Sequence, residues 1–341
     1  AARSKNIYGP YENCPYNPVL TNRNDTTKQI QCAGHADLID DENGNWWMVH
    51  LGTRSVLKSK TPLGRETFLT PVEWKEGWPV AVNRRAKLEN ELDRIVCRTK
   101  KENAQNKNAY GQIETERNIH IGNSFHFKPN FSVSSWEPQW LWLREPDITL
   151  YERKSNALIL HPSAFDFKAP AQPCFVGICQ PDIDCHFQTT FTFEPKDGEE
   201  GGMLLYLSSN FYYRICKRKQ KGKTQLAVIR KLDDVEVTDY VKELESTESP
   251  ITIYINASAV GYHITWKTED KVLEDAGTYS LRFLCTEIEN RCFTGTIIGI
   301  YAADHTIIQR KTSEQDKKQE TLKTQRRSSS MTITNFEASV C

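Results

Sequence analysis

Short β-strand patterns run through most of this chain, and they constrain its fold more than any other feature. From residue 130 onward, about nine strand-like segments follow one another at the spacing of an all-β sandwich. In the first of them Phe187, Phe191 and Phe193 are separated by glutamine and threonine, so one face of the strand is apolar. Such segments with almost no helix predict a two-sheet, jelly-roll-like sandwich. They are CHFQTTFTFEP, GMLLYLSS, FYYRICKR, TQLAVIRKL, ITIYINAS, VGYHITWKT, YSLRFLC, FTGTIIGIYA and MTITNFEAS.

The first 83 residues carry strand patterns arranged as hairpins. Residues 36–51 read as strand, turn and strand, with Asp41-Glu42-Asn43-Gly44 at the turn. Asn-Gly is the favoured two-residue hairpin turn, because both residues tolerate a positive φ. A second hairpin turns at Lys75-Glu76-Gly77. The strand NWWMVHL is apolar on both faces, which suits stacked sheets better than a sheet with one solvated face.

Two segments lack the strand pattern. Residues 84–129 are polar and charged, with one helical turn expected around Lys87 to Val96, and we interpret them as a linker whose basic clusters are solvated. Residues from about 308 to 330 form a charged, low-complexity stretch that cannot bury apolar area, so we expect a disordered loop. The predicted organisation is therefore a first domain at 1–83, a linker at 84–129 and a sandwich at 130–341.

Charge and cysteine content limit the classes of partner. The 44 Lys and Arg balance 44 Asp and Glu, which argues against a nucleic-acid or anionic-membrane surface. No apolar run approaches the 18 or so residues of a membrane helix. The ten cysteines are not at metal-binding spacing. A Cys14–Cys32 bridge and three glycosylation sequons are compatible with secretion, but buried thiols and chance sequons explain them equally well, so the compartment stays open.

Several motifs together are specific. They are Gly34-His35-Ala36-Asp37-Leu38, Gly44-Asn45-Trp46-Trp47, Leu51-Gly52-Thr53-Arg54, Leu63-Gly64-Arg65-Glu66-Thr67 and Gly77-Trp78-Pro79. They resemble the late blades of glycoside hydrolase family 43, in its β-xylosidase and α-L-arabinofuranosidase branch. Farther on, Trp140-Leu141-Trp142-Leu143-Arg144 opens a segment that resembles the family's C-terminal concanavalin A-like β-sandwich. The resemblance implies an all-β chain: the last blades of a five-bladed β-propeller, then the sandwich.

The resemblance also implies an activity. Such enzymes are inverting exo-glycosidases that release xylose or arabinofuranose from xylan-derived oligosaccharides, using a general acid, a general base and a third acid that tunes the pKa of the first. The family carries these three residues in early blades, ahead of the segment that resembles the start of this chain. At roughly 40–45 residues per blade, the first 83 residues hold about two blades, whereas a closed propeller needs about four or more. We therefore expect an N-terminally truncated chain without its catalytic residues, inactive alone. The alternative is a non-catalytic carbohydrate-binding or interaction module.

Local acids are poor substitutes for the missing ones. Asp37, Asp40, Asp41 and Glu42 are the carboxylates nearest to the motif. The last three fall in the predicted hairpin turn, where acidic residues are common for reasons of turn geometry and solvation. We expect none of the four to be catalytic.

The resemblance carries three substrate-binding residues over to this chain. Arg65 matches an arginine that binds sugar hydroxyls in the innermost subsite, and the alternative is a structural ion pair with Glu66 or Glu73. His35 matches a histidine near the propeller axis, the alternative being a core histidine. Phe293 would cap the sugar pocket from the sandwich, the alternative being a core phenylalanine. No cofactor is expected, although calcium near His35 is compatible with the sequence. The expected partner is a xylo-oligosaccharide or arabinosyl substrate.

Overall fold

The chain folds into two compact units, Ala1–Asn123 and Ser124–Cys341, in a computed structural model. The described residues are 1–57, 59–86, 125–165, 167, 171–246, 248–269, 271–289, 292–307 and 329–340. The helical turn expected at 87–96, most of the predicted linker and most of the predicted disordered loop lie outside these residues. Within them, no helix is both long enough and apolar enough to cross a membrane.

The first unit is built on an antiparallel meander. Its described strands are β1 (Ala2–Arg3), β2 (Glu12–Asn13), β3 (Ile30–Asp40), β4 (Trp46–Arg54), β5 (Glu66–Lys75) and β6 (Trp78–Ala81), followed by a 3-10 turn at Val82–Arg84. In the described residues β3 to β6 form a four-stranded sheet in sequence order, and β1 pairs with β2 as a separate ribbon. The first 83 residues, expected to hold about two blades, contain one complete four-stranded sheet and the β1–β2 ribbon.

The core of the meander is small. Its buried apolar side chains come from the loop before β3, from β3, β4 and the end of β6, and from the segment after the 3-10 turn. A Cβ atom at Gly52 would lie 3.0 Å from atoms of Ile30 and Phe68, so only glycine lets β4 approach them this closely. A second cluster joins Cys14 to Trp78 and Val80. The main cluster consists of Leu20, Ile30, Met48, Ala81 and Ala86.

The turn between β3 and β4 is longer than the two-residue Asn-Gly turn that the sequence predicts. Asp41 Oδ1 accepts hydrogen bonds from the backbone N–H groups of Asn43 and Asn45, each at 2.9 Å, and Asp41 Oδ2 accepts one from the Asn45 side chain at 2.8 Å. Of the residues in this turn only Gly44 has a positive φ, 78°. The Asp41 carboxylate therefore organises the loop, and the Asn45 side-chain and backbone hydrogen bonds lower its pKa.

The second unit is a β-sandwich, and the all-β prediction is confirmed. Its described 3-10 turns are Ile148–Leu150, Leu281–Leu284 and Thr286–Ile288. The described strands are β7 (His126–Phe127), β8 (Leu141–Trp142), β9 (Tyr151–Lys154), β10 (Ala157–Leu160), β11 (Ser163–Ala164), β12 (Phe175–Cys179), β13 (Cys185–Thr192), β14 (Glu199–Tyr206), β15 (Phe211–Gln220), β16 (Lys223–Leu232), β17 (Val235–Glu243), β18 (Ile251–Ala257), β19 (Gly261–Thr268), β20 (Glu274–Ser280), β21 (Ile297–Asp304) and β22 (Met331–Val340).

These strands form two sheets of eight among the described residues. Sheet A has the order β20-β19-β18-β13-β22-β10-β9, with β7 also paired to β22. Sheet B has the order β17-β16-β15-β14-β21-β12-β8, with β11 also paired to β21. Because His126–Phe127 pairs with the last strand, the ordered sandwich includes residues before position 130.

The two sheets meet through alternating side chains. Phe187 and Phe191 of sheet A are 1% and 0% exposed, as their alternation predicts. Tyr213 of sheet B has its ring 6.4 Å from that of Tyr262 in sheet A. It also donates a hydrogen bond to the Ser280 carbonyl at 2.7 Å. The inner face of β15 therefore carries Tyr213 and the residues two positions away on either side.

Sheet B is also buried on its far face. Residues that alternate with Tyr213, such as Tyr212 and Cys216, belong to a separate buried cluster. Phe167 is part of that cluster and Phe165 packs against it, so the segment after β10 covers this face. A strand covered on both faces carries apolar residues at nearly every position, as FYYRIC does except at Arg214. The buried members are Phe167, Phe175, Leu204, Tyr206, Tyr212, Cys216, Ala227, Ile229, Tyr301 and Ala303.

The nine predicted segments include none of the strands β7 to β12, and two later elements also differ from the sequence prediction. The segment YSLRFLC was predicted to be one strand, but β20 ends at Ser280 and the 3-10 turn Leu281–Leu284 follows. The Ser280 side chain accepts a hydrogen bond from the Arg282 N–H at 3.2 Å, which caps that turn. The strand β17 was not predicted, because it is an exposed edge strand with the polar sequence VEVTDYVKE.

Candidate functional site

Arg65 lies in a bend immediately before β5, and it is exposed. Glu66 pairs with Gly52, two residues before the last residue of β4. Arg65 therefore lies at the edge of the meander where β4 ends. The bend follows from Gly64, whose φ of 71° favours glycine. The guanidinium of Arg65 is therefore presented at one end of the blade.

The two carboxylates considered as alternative partners of Arg65 both bind other cations. Glu66 accepts from Arg54 Nε at 3.0 Å and from Arg54 Nη2 at 2.8 Å. This ion pair is largely buried, with the two side chains 17% and 24% exposed. Glu73 lies 3.3 Å from Lys75 Nζ on the exposed surface. Arg54 therefore has a packing role in the blade.

His35 lies in a β-bulge of β3. Gly34 pairs with Leu51 and Asp37 with Val49, so His35 and Ala36 on β3 face a shorter stretch of β4. The φ of His35 is 51° and its side chain is exposed. The alternative of a satisfied core histidine is therefore wrong. Bulges and positive φ values of non-glycine residues concentrate at functional sites, which favours a ligand-binding role for His35.

The register relates His35 to Arg65. Gly34, Leu51 and Thr67 form one row across β3, β4 and β5, so the strands that carry His35 and Arg65 are about 10 Å apart. The imidazole offers one donor and one acceptor when neutral, and the guanidinium offers a planar fork of donors. His35 follows this row by one residue and Arg65 precedes it by two, and the binding of sugar hydroxyl groups by either side chain stays a prediction.

His50 is a buried histidine of the same blade. It is 2% exposed, its Nε2 lies 2.9 Å from Thr70 Oγ1, and its Nδ1 lies 2.9 Å from the Leu51 carbonyl oxygen. Its ring stacks on Phe68 at 5.8 Å. Burial lowers the pKa of His50, with the bond to Leu51 opposing this effect. His50 is therefore part of the blade's packing.

The four local acids follow the hairpin. Asp37, Asp40 and Glu42 are exposed along β3 and its turn, and Asp41 binds the turn backbone. Asp41 and Glu42 lie in the turn, as predicted, whereas Asp40 is the last residue of β3 and pairs with Trp46.

Phe293 lies in the sandwich unit, in the loop before β21. Its side chain is 51% exposed, so the alternative of a core phenylalanine is wrong. The loop is anchored on both sides of it: Glu289 accepts a hydrogen bond from Asn210 at 3.2 Å, and the buried Thr296 hydroxyl donates to the Leu284 carbonyl at 2.8 Å. The loop therefore presents an aromatic ring at the surface of the sandwich.

The described residues limit metal and disulfide chemistry. Among them, no three His, Cys, Asp or Glu side chains lie close enough together to hold a metal ion. Calcium near His35 stays a prediction. Cys14 is buried and Cys32 exposed, and both are free thiols, so the bridge considered between them is wrong.

The sandwich contains a buried charge network that the sequence analysis missed. Glu200 and Arg214 are 3% and 2% exposed and 2.6 Å apart. Tyr301 donates to Glu200 Oε1 at 2.8 Å, and His305 Nε2 lies 3.2 Å from Glu200 Oε2. Burial alone would raise the pKa of Glu200, but the Arg214 charge and the His305 contact lower it well below its usual range. The sequence signal for this network is Arg214 within the otherwise apolar run FYYRIC, because a buried charge requires a partner.

Two family models match the chain. Residues 1–79 match glycosyl hydrolases family 43, and residues 128–315 match the beta xylosidase C-terminal concanavalin A-like domain. The chain belongs to glycosyl hydrolase family 43. The recognition made from the motifs is confirmed, and so is the fold of propeller strands followed by a concanavalin A-like sandwich.

Curated members of the family resemble this chain along most of its length. The non-reducing end alpha-L-arabinofuranosidase BoGH43B of Bacteroides ovatus is 31% identical over 306 residues, covering 88% of this chain and 53% of the relative. A xylosidase/arabinosidase of Butyrivibrio fibrisolvens is 30% identical over 312 residues, covering 89% and 55%. The family-43 chain described here thus spans about half the length of the curated relatives it matches.

The solved structures agree with this assignment. The Bacteroides ovatus xyloglucan PUL GH43B structure superimposes with a TM-score of 0.77 at 25% identity. The match covers 100% of this chain and 60% of that one.

Proposed function

We propose that this family-43 chain forms part of an inverting exo-glycosidase that acts on xylan-derived oligosaccharides. Within it, the blade formed by β3 to β6 supplies one wall of the sugar pocket. The observation that carries this proposal is the exposed guanidinium of Arg65 at the end of β4 and β5, beside an Arg54–Glu66 pair that holds the surrounding strands. Relatives described as xylosidase/arabinosidase and as arabinofuranosidase support a pentoside as the substrate.

In this proposal Arg65 binds and orients the sugar. Its planar fork can donate to two adjacent hydroxyls and stays charged at any working pH. His35, exposed at the bulge of β3, binds a further hydroxyl. A hydrogen bond to a charged group contributes about 1.5–3 kcal/mol. Arg65 and His35 therefore position the glycosidic bond but do not exchange protons with it.

The proton transfers require carboxylates that we do not assign within this chain. Asp41 is bound to its turn and Glu66 to Arg54, so neither is placed to protonate a leaving oxygen or to activate water. General acid or base assistance contributes about 10² to 10⁴ in rate for each group. We therefore propose that the chain alone has no measurable glycosidase activity.

A chimaeric enzyme tests the proposal. The part of the Bacteroides ovatus relative that precedes its match to this chain is fused ahead of Ala1, and hydrolysis of aryl β-xyloside and aryl α-L-arabinofuranoside is measured. We expect turnover by the chimaera and none by the chain alone. Arg65→Ala in the chimaera should lower kcat/KM about 10- to 150-fold, the loss of one charge-assisted contact. The ratio of kcat/KM for the two aryl substrates gives the preference of the chimaera between xylose and arabinose.

Controls separate binding from folding. Lys5→Ala removes another exposed cation of the same unit and should leave kcat/KM unchanged, and Arg65→Lys should retain only part of the activity. Turnover by the chain alone that Arg65→Ala abolishes would refute the proposal that the chain alone is inactive. Sugar binding by the chain, combined with an inactive chimaera, would favour the carbohydrate-binding module instead.

A further inference from the structure

The hairpin that joins β15 to β16 ends in a run of positive charge. Residues 217–223 read Lys-Arg-Lys-Gln-Lys-Gly-Lys, five cations in seven positions without an acid, in a chain whose formal net charge is zero. We call these seven residues the basic tip. Such a run marks a surface that can attract an anionic polymer.

The basic tip has a fixed shape. Lys221 and Gly222 have φ values of 52° and 78°, as in the tight two-residue turns that match the twist of a hairpin. The Gly222 N–H donates to Asp197 Oδ1 at 3.0 Å, and Asp197 also bridges to Lys219 through the backbone. Lys217 is fully buried, so the surface cations are the half-buried Arg218 and Lys219 and the exposed Lys221 and Lys223. The turn of this hairpin is anchored to the segment before β14.

Few neighbouring acids neutralise the basic tip. Asp197 accepts from the turn, and Glu243 pairs with Lys223 at 2.9 Å. That pair is weak, because its two side chains are 58% and 61% exposed. Among the described residues, no carboxylate forms an ion pair with Lys219 or Lys221. Lys217 is buried and its charge interacts with Glu194, so this pair is left out of the count. The remaining four cations of the basic tip still outnumber Asp197 and Glu243, so the local charge is positive.

Two polar atoms next to the lysines have unmet hydrogen bonds. Arg218 on β15 faces Gln225 on β16 in register. Arg218 Nε and Gln225 Oε1 are both buried, and neither has a hydrogen-bond partner. One is a donor and the other an acceptor, and a hydroxyl group can satisfy both. Both residues are half-buried, so binding of a hydroxyl group at these two atoms requires a change of side-chain rotamer.

We propose that the basic tip, with Gln225, is a docking surface for a polysaccharide whose sugars carry carboxylate groups. The carboxylates pair with Lys221 and Lys223, and the hydroxyls bind Arg218 and Gln225 on the same strand face as Lys223. Lys219, on the opposite face, adds to the positive potential of the tip. This inference rests on the proposed function, because it takes a sugar polymer as the partner. It adds that acid-substituted xylan is also held by the sandwich unit. The neutral charge of the whole chain favours this partner over nucleic acid.

Binding to a matched pair of polymers tests the proposal. The probes are xylan bearing glucuronic acid and the same xylan after its carboxyl groups are reduced to alcohols. Affinity electrophoresis is run at about 10 mM and about 1 M salt, where the Debye length is about 30 Å and about 3 Å. We expect the carboxylated xylan to retard migration of the protein at low salt but not at high salt. The reduced xylan should not retard it at either salt concentration. The triple variant Lys219→Gln, Lys221→Gln, Lys223→Gln should weaken binding about tenfold.

A control variant carries the same change of charge on other surfaces of the sandwich unit. Lys128→Gln, Lys154→Gln, Lys271→Gln should bind as the unaltered chain does, although two of these lysines also leave ion pairs. The proposal is wrong if both triple variants lose the same affinity for the carboxylated xylan. It is also wrong if the reduced xylan binds as tightly as the carboxylated xylan, or if duplex DNA binds more tightly. An inactive chimaera whose basic tip still selects the carboxylated xylan would refute only the catalytic role, so the two failures are distinguishable.

Discussion

At the scale of single residues, the most consequential feature is the charge buried in sheet B. Glu200 sits among Arg214, Tyr301 and His305, and Arg214 Nη2 also reaches the half-exposed Glu236 at 2.8 Å. Removing one member of a buried pair leaves the other charge without compensation, which costs more than the pair contributes. The network therefore fixes the packing of the far face.

We predict that Arg214→Met destabilises the sandwich by about 3–5 kcal/mol, measured by urea unfolding. The double variant Glu200→Gln, Arg214→Met should regain part of the loss, because no buried charge is then left unpaired. Lys271→Met breaks an exposed pair with Glu245 and should change stability by less than about 1 kcal/mol. A double variant less stable than Arg214→Met would contradict this account.

The same network predicts a pH dependence. The pKa of Glu200 is lower in the folded protein than its ordinary value of 4.5, so the unfolded chain binds a proton more readily. The stability due to Glu200 is therefore complete above that value and falls as the pH drops below it. In Glu200→Gln this part of the acid sensitivity should disappear.

How far single residues could be predicted depends on the range of the interactions. Arg65 was found from a local motif, and its exposure agrees with a ligand-binding role. The exposure of His35 depends on a bulge in β3, and a one-residue change of register reverses the face of a side chain. Glu200 meets Tyr301 across 101 positions of sequence, which no local pattern reveals.

At the scale of elements, alternation predicted the central strands of the sandwich and failed at edges and turns. The buried strands β13 and β18 show the alternating burial that their sequences indicate. The edge strand β17 carries no such pattern, because it is exposed on most positions. In the β3–β4 turn the side chain of Asp41 outweighed the preference of Asn-Gly for a two-residue turn.

Arg153 shows how one side chain can hold an irregular element. Its Nη1 donates to the carbonyls of Val133 at 2.8 Å and Ser135 at 2.9 Å, and its Nη2 lies 3.1 Å from Glu137 Oε2. Its guanidinium carbon lies 4.3 Å above the Trp136 ring. Arg153, on β9, thus anchors the segment between β7 and β8 to sheet A.

We predict that Arg153→Lys lowers the stability of the sandwich by about 1.5–3 kcal/mol, although it keeps the positive charge. An ammonium group cannot reproduce the planar fork that binds two carbonyls and a carboxylate together. The measurement is urea unfolding followed by tryptophan fluorescence, to which Trp136 contributes as one of eight tryptophans. Lys154→Met, at the exposed neighbouring position, is the control, and equal effects of the two changes would refute the anchoring role.

At the scale of the molecule, the two units bury very different amounts of apolar surface. The first unit leaves Leu38, Ile39, Leu69 and Trp74 between 40% and 52% exposed, and its buried clusters are small. The sandwich packs apolar side chains on both faces of sheet B. Because local opening is easiest where few apolar contacts must break, the first unit should open more often than the second.

We therefore predict that limited trypsin digestion destroys the first unit before the sandwich. Cleavage of a transiently opened region follows the population of its open form, so sites within β3 to β6 should be cut while β13 to β16 remain intact. Mass spectrometry of a time course identifies the surviving fragments. Lysines and arginines occur in both regions, so the difference cannot arise from a lack of cleavage sites. Equal rates of loss for peptides from β3 to β6 and from β13 to β16 would show that the small blade core is as stable as the doubly covered sheet.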